Sequence, residues 1–132
     1  MSVALLLTAI RYPGTAVGPD APLISNHSTK MWDHVFRVNV YAPFWITRAA
    51  VPLLPPGSSI IFTASDVARD PLPGAVPYSA TKAALANMVK SLAQQLQPLG
   101  IRVNGVAPGF AYTPFLNAQG YDTETFDVMK GR

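Results

Sequence analysis

The chain has no cysteine. That excludes a disulfide framework, a thiolate zinc site and a cysteine nucleophile, and it fits a reducing compartment, so the cytoplasm is the expected location. Charge is scarce: 13% of the residues are charged and 49% are apolar. Disordered chains show the reverse balance, so the 132 residues read as one globular domain, 1–132, with one hydrophobic core. Basic residues outnumber acidic ones, for a net charge of +3. Yet Arg11, Lys30, Arg37, Arg48, Arg69, Lys82, Lys90, Arg102, Lys130 and Arg132 are scattered and form no run or stripe. Phosphate backbones are held by clustered charge, so no nucleic-acid partner is expected. Long apolar runs are missing too. Val3–Ile10 is far too short to span a bilayer, and it carries neither the basic flank nor the small-residue cleavage site of a signal peptide. No membrane association is expected.

What is present is an alternation of elements. Val3–Ile10 is a continuous apolar run, the pattern of a strand covered on both faces. Tyr12–Ser28 is rich in Pro, Gly, Asn and Ser and reads as a loop. Ser28 is placed to cap a helix from about Lys30 to Val51, with Val35, Phe36, Val38, Tyr41, Trp45, Ile46 and Ala49 among its apolar positions. Pro52, Pro55, Pro56 and Gly57 stop it. Ser59–Thr63 is a second, β-branched strand. A loop with Asp70, Pro71, Pro73 and Gly74 leads through Pro77 to a helix over Tyr78–Gln97, built of Ala, Leu, Lys and Gln and ended by Pro98 and Gly100. Ile101–Val106 is a third strand, and Pro108-Gly109 opens a last loop with a short helix expected from about Thr123 to Met129. Strands alternating with helices at this spacing define an α/β fold: a partial Rossmann-like, doubly wound parallel sheet of three strands.

In such a sheet, ligands sit at the carboxyl ends of the strands. Ala64-Ser65-Asp66 follows the second strand and Ala107-Pro108-Gly109 the third. Tyr78 and Lys82 lie one turn apart on one face of the helix between them. A phenol titrates near 10 in water and is a poor proton carrier at neutral pH, but a cation one turn away favours the phenolate. That is the tuning a general acid/base requires. Ser65 offers a hydroxyl to hold a substrate oxygen while charge develops on it. Taken singly, Tyr-x-x-x-Lys also fits an exposed helix pair, and Ser65 also fits a serine that satisfies backbone groups. Pro43 follows Asn39 by four positions, so the Asn39 carbonyl loses its helical donor; it is open to a water, or the pair is a plain proline kink. His27 and His34 have no companions at ligand spacing, so no metal site is expected. Trp32 and Trp45 read as packing or interface aromatics, and Asp66 and Asp70 as solvated loop carboxylates.

The stretch Tyr78-Ser79-Ala80-Thr81-Lys82-Ala83-Ala84 resembles the catalytic signature of the short-chain dehydrogenases/reductases. Ser65 stands thirteen positions before Tyr78, as in that family, and Asn39 in Arg37-Val38-Asn39-Val40 matches its helix asparagine. Ile101–Gly109 is similar to its next strand and the turn that closes over nicotinamide, and Thr113 falls where the family binds the carboxamide. The similarity runs from roughly Gly14 to Phe115. The resemblance implies an oxidoreductase using NAD or NADP on a small alcohol or carbonyl substrate. It implies that Tyr78 exchanges a proton with the substrate and that Lys82 lowers the Tyr78 pKa and bonds the nicotinamide ribose. Ser65 would orient the substrate oxygen and Asn39 would hold a water between Lys82 and solvent. Pro108, Gly109 and Thr113 would line the cofactor, and the helices at 30–51 and 78–97 would pair subunits into a homo-oligomer.

Part of the family pattern is not found. No Gly-x-x-x-Gly-x-Gly loop occurs, and where the family has Asn-Asn-Ala-Gly this chain reads Ile10-Arg11-Tyr12-Pro13-Gly14, with only the glycine in common. The chain therefore reads as an N-terminally truncated copy without the first, cofactor-binding βαβ half. Two functions follow as expectations: a nicotinamide-dependent oxidoreductase, or a non-catalytic copy that pairs with itself or with a longer relative.

Overall fold

The computed structural model describes residues 3–8 and 23–109. Three strands form one parallel sheet in the order β1 (Ala4–Thr8), β2 (Ser59–Thr63), β3 (Arg102–Val106). Leu5 pairs with Ile60 and Leu7 with Phe62, while Ile60 pairs with Val103 across the other edge of β2. Helix α3 (Val76–Leu96) packs against β3 and against the helix that begins at Thr29, on the face of the sheet that carries Ile60 and Phe62. That face holds the core: Ile60 and Phe62 are wholly buried, with Leu7, Val103 and Ile101 beside them. Helix α3 lays Leu85 and Leu96 on this cluster, flanked by Met88, Val89, Leu92 and Ala93. Each large side chain buried this way contributes about 1.5–3 kcal/mol. The other face is barer than the apolar runs predict. Ala4 is exposed at the start of β1, and Arg102, Asn104 and Val106 are exposed on β3. Coverage on both faces, expected for the first strand, is therefore not seen at Ala4.

The helix expected over 30–51 is real but interrupted. Ser28 caps it, accepting from the Met31 amide at 3.1 Å. Helix α1 (Thr29–Phe36) runs into a π turn (Arg37–Tyr41) and then α2 (Ala42–Ala50). At the end of the π turn the Ala42 amide donates to the Arg37 carbonyl, five residues back. Pro43 has no N–H to give the Asn39 carbonyl, so the regular ladder lapses there and one extra residue enters the turn. The helix expected from Tyr78 begins earlier, at Val76, with Pro77 in the first turn where a missing N–H costs nothing. Gly100, at φ +69°, closes the far end. The third strand starts at Arg102, one residue later than predicted. A 3-10 turn over Ile24–Asn26 falls within the predicted first loop. Ala9 and Ile10, Thr113 and the short helix expected over Thr123–Met129 lie outside the described residues. Among the described residues no helix is long and apolar enough to cross a membrane.

Candidate functional site

The carboxyl end of β2 organises the site. Beyond Thr63 the chain remains paired with the segment after β3: the Ala64 amide donates to the Val106 carbonyl at 2.8 Å and the Asp66 amide to the Pro108 carbonyl at 3.1 Å. The two segments that sequence spacing placed at the strand ends are thus laced together. Ser65, 8% exposed, sits between these two bonds. Its hydroxyl lies 2.9 Å from Asp66 Oδ1 and 3.4 Å from the Pro108 carbonyl, both acceptors. Asp66 Oδ1 also accepts from the Val67 amide at 2.7 Å, opening a short 3-10 turn over Asp66–Ala68. A Cβ at Gly109 would stand 3.3 Å from Asp66 Oδ2, so the turn after β3 approaches this carboxylate closely enough to favour glycine.

Tyr78 and Lys82 sit in the first turns of α3. Lys82 is only 1% exposed. Its ammonium donates to the Thr63 carbonyl at 2.8 Å and lies 5.5 Å from the centre of the Tyr78 ring. These contacts offset part of the cost of a buried cation. Desolvation still wins: burial brings the Lys82 pKa down from 10.5 to about 8. The ammonium therefore ties α3 to β2 two residues before Ser65.

The π turn supplies a third arm. Asn39 is fully buried, and its Nδ2 donates to Thr81 Oγ1 at 3.0 Å. The Thr81 hydroxyl, also fully buried, donates onward to the Tyr78 carbonyl at 2.7 Å. Asn39 Oδ1 is buried and has no hydrogen-bond partner among the described residues. Asn39, Thr81 and Tyr78 are joined in one line, and Tyr78, Lys82 and Thr63 in another.

Sequence reasoning missed four of these participants. Thr81 was readable in part, since a helical threonine often donates to a carbonyl one turn back, but its partner Asn39 is 42 positions away. The carbonyls of Thr63 and Pro108 carry no side-chain signal. Asp66 is not the solvated carboxylate that its loop position implied: it holds Ser65 and the Val67 amide, because the chain turns back on itself directly after β2. Asp70 does fit that description, exposed and paired with Arg69 at 3.1 Å. His34 is exposed and His27 half-buried, and no group of three or more potential metal ligands occurs among the described residues. Trp32 stacks on Phe36 with ring centres 4.8 Å apart, while Trp45 stays half in solvent beside Tyr41.

Residues 14–124 match the family model described as short chain dehydrogenase. The chain belongs to that family. It is 47% identical over 92 residues to the uncharacterized oxidoreductase YghA of Escherichia coli, an overlap of 70% of this chain and 31% of that protein. It is 35% identical over 136 residues to human dehydrogenase/reductase SDR family member 4, covering 96% of this chain and 49% of that one. Among solved structures, a short chain dehydrogenase from Burkholderia cenocepacia in complex with NADP superposes with a TM-score of 0.71 at 33% identity, over 85% of this chain and 43% of that chain. A 3-ketoacyl-(acyl-carrier-protein) reductase from Brucella melitensis complexed with NADH gives a TM-score of 0.73 at 25% identity, over 94% of this chain and 50% of that chain. The chain thus spans 31% to 50% of the length of these relatives.

Proposed function

We propose that this chain carries the proton-handling half of an NAD- or NADP-dependent oxidoreductase for a small alcohol or carbonyl substrate. The observation that carries this reading is the buried Lys82 ammonium, 5.5 Å from the Tyr78 ring and anchored on the Thr63 carbonyl. A cation held there favours the Tyr78 phenolate, and the phenol oxygen then takes the proton of an alcohol or returns it to a carbonyl oxygen. Titrating at about 8, Lys82 is mostly charged at neutral pH, as that role demands. Ser65 orients the substrate oxygen from the end of β2. Asn39 holds a water next to Lys82; its buried, unpartnered Oδ1 and the carbonyl that Pro43 leaves without a donor both suit one.

A nicotinamide nucleotide supplies the hydride acceptor or donor when bound. Two features suit its nicotinamide end: Lys82 is a donor near the carboxyl end of β2, and Gly109 has no side chain where the turn after β3 approaches Asp66. Lys82 and Tyr78 would hold the ribose, and Pro108, Gly109 and Thr113 the nicotinamide. The sequence has no Gly-x-x-x-Gly-x-Gly loop to cradle the pyrophosphate. Titrating the purified chain with NADH and NADPH under fluorescence tests the reading. Saturable binding supports it, and a folded chain that binds neither contradicts it.

A second reading is favoured by one surface. Tyr41, Phe44 and Trp45 lie on one side of the π turn and α2, 46%, 44% and 46% exposed, with the Arg48 guanidinium 5.4 Å over the Phe44 ring. Exposed aromatics with an arginine are the composition of an interface core. On this reading the helices at 30–51 and 78–97 pair the chain with a second copy or a longer relative, with or without catalysis.

A further inference from the structure

Asp66 carries a charge that the surrounding protein does not balance. Its Oδ1 lies 2.9 Å from the Ser65 hydroxyl and accepts from the Val67 amide at 2.7 Å, so neutral groups fix the carboxylate in place. Arg69, three positions on, turns to Asp70 instead at 3.1 Å, and among the described residues Asp66 takes part in no ion pair. Oδ2 has no hydrogen-bond donor among those residues. It faces the turn after β3, 3.3 Å from the point where a Cβ of Gly109 would stand. The side chain is half-buried, so water screens its charge only in part. A fixed carboxylate beside a turn without a side chain favours a positive charge at that turn over a neutral group.

We propose that Asp66 makes the site favour the oxidised form of a nicotinamide nucleotide over the reduced form, and so makes the bound reduced form a stronger hydride donor toward a carbonyl substrate. This rests on the oxidoreductase reading above, which sets the nicotinamide against Pro108 and Gly109. The oxidised ring is a cation and the reduced ring is neutral, whereas their outlines are nearly the same. A nearby carboxylate therefore separates two forms that contacts of shape do not. In reduction the carbonyl carbon gains the hydride, the carbonyl oxygen gains the Tyr78 proton, and the ring is left with the positive charge that Asp66 attracts. That charge develops as the hydride leaves, so a fixed carboxylate stabilises the transition state as well as the oxidised product. The Lys82 ammonium acts in the opposite sense, but its contribution is the same in chains that differ only at Asp66.

The test is binding without substrate. NADH and NADPH are titrated against the full chain by their fluorescence, and NAD and NADP by displacement of the reduced form; the pair that binds is compared. Asp66→Asn keeps the outline and the acceptor for the Val67 amide but removes the charge. It is expected to raise the ratio of the oxidised to the reduced dissociation constant by roughly tenfold, the effect of one nearby charge at a partly screened site. Asp66→Ser, which also keeps an acceptor for the Val67 amide, is expected to do the same and separates charge from the shape of asparagine. Asp70→Asn removes an exposed carboxylate four positions away and is expected to leave the ratio within about twofold, since solvent and Arg69 already screen it. Two results overturn the proposal alone: an unchanged ratio in the Asp66 variants with both forms still bound, or an Asp70→Asn shift as large as theirs. A folded wild-type chain that binds neither pair overturns the oxidoreductase reading, and this proposal with it.

Discussion

The Lys82 ammonium reaches from the second turn of α3 to the main-chain carbonyl of Thr63, 2.8 Å away, and so fastens the helix that carries Tyr78 to the strand end that carries Ser65. A buried lysine that bonds a carbonyl rather than a carboxylate keeps its full charge unneutralised by that contact. Its cost of burial is then visible in its titration.

The first prediction follows from that titration. Lys82 has an ordinary pKa of 10.5 in the unfolded chain and about 8 in the folded one. Between those values the unfolded state binds more protons, so stability rises with pH in that window and is flat below it. Relative to Lys82→Met, the wild-type chain should gain up to about 3 kcal/mol from pH 8 to pH 10.5. Urea unfolding of both chains at several pH values measures this. A constant difference across the window would show that burial does not perturb the lysine.

A second prediction concerns the Asn39–Thr81–Tyr78 line. Thr81→Val keeps the shape but leaves the buried Asn39 amide without its acceptor. The expected loss is about 1–3 kcal/mol, seen as a lower urea midpoint at unchanged slope. Thr81→Ser should recover part of it. Asn39→Ala and Thr81→Val should be non-additive in a double-mutant cycle, since they remove the same bond.

Gly100 gives a third. Its φ of +69° is strained for any side chain, and a Cβ would meet Pro56 Cβ at 3.3 Å. Gly100→Ala should cost about 1 kcal/mol in thermal or urea unfolding without altering ligand binding. A neutral or stabilising effect would mean that the closure of α3 tolerates a side chain there.

The exposed row on α2 gives a fourth. If Tyr41, Phe44 and Trp45 form a self-association surface, Trp45→Asp should reduce the sedimenting mass of the chain while leaving its circular dichroism intact. A wild-type chain that sediments as a monomer contradicts pairing with a second copy through this surface.

Much of this arrangement was legible in the sequence because its determinants are local. Apolar, β-branched runs located β2 to the residue, Ser28 announced its cap, and Pro98 with Gly100 marked the end of α3. The spacing of Tyr78 and Lys82 fixed their common helix face. Pro43 signalled trouble at Asn39, but a missing donor has several remedies, and packing against α3 decided for a π turn. What stayed hidden was carried by main-chain atoms or long-range pairing. No pattern in the residues marks the Thr63 carbonyl as the seat of Lys82, or the Pro108 carbonyl as a neighbour of Ser65. Asp66 misled because loop carboxylates are usually solvated, whereas here the turn after β2 folds it onto its own neighbours.

The most direct test of the central claim is turnover of the chain and its Tyr78→Phe variant on a panel of small secondary alcohols with NAD or NADP, followed by the absorbance of the reduced nucleotide. Removing the phenol oxygen takes away the proton carrier and leaves the ring packed, so the variant should fold and bind nucleotide like the parent yet lose about 100-fold or more in rate. A Tyr78→Phe chain that turns over as fast as the wild type would contradict the account.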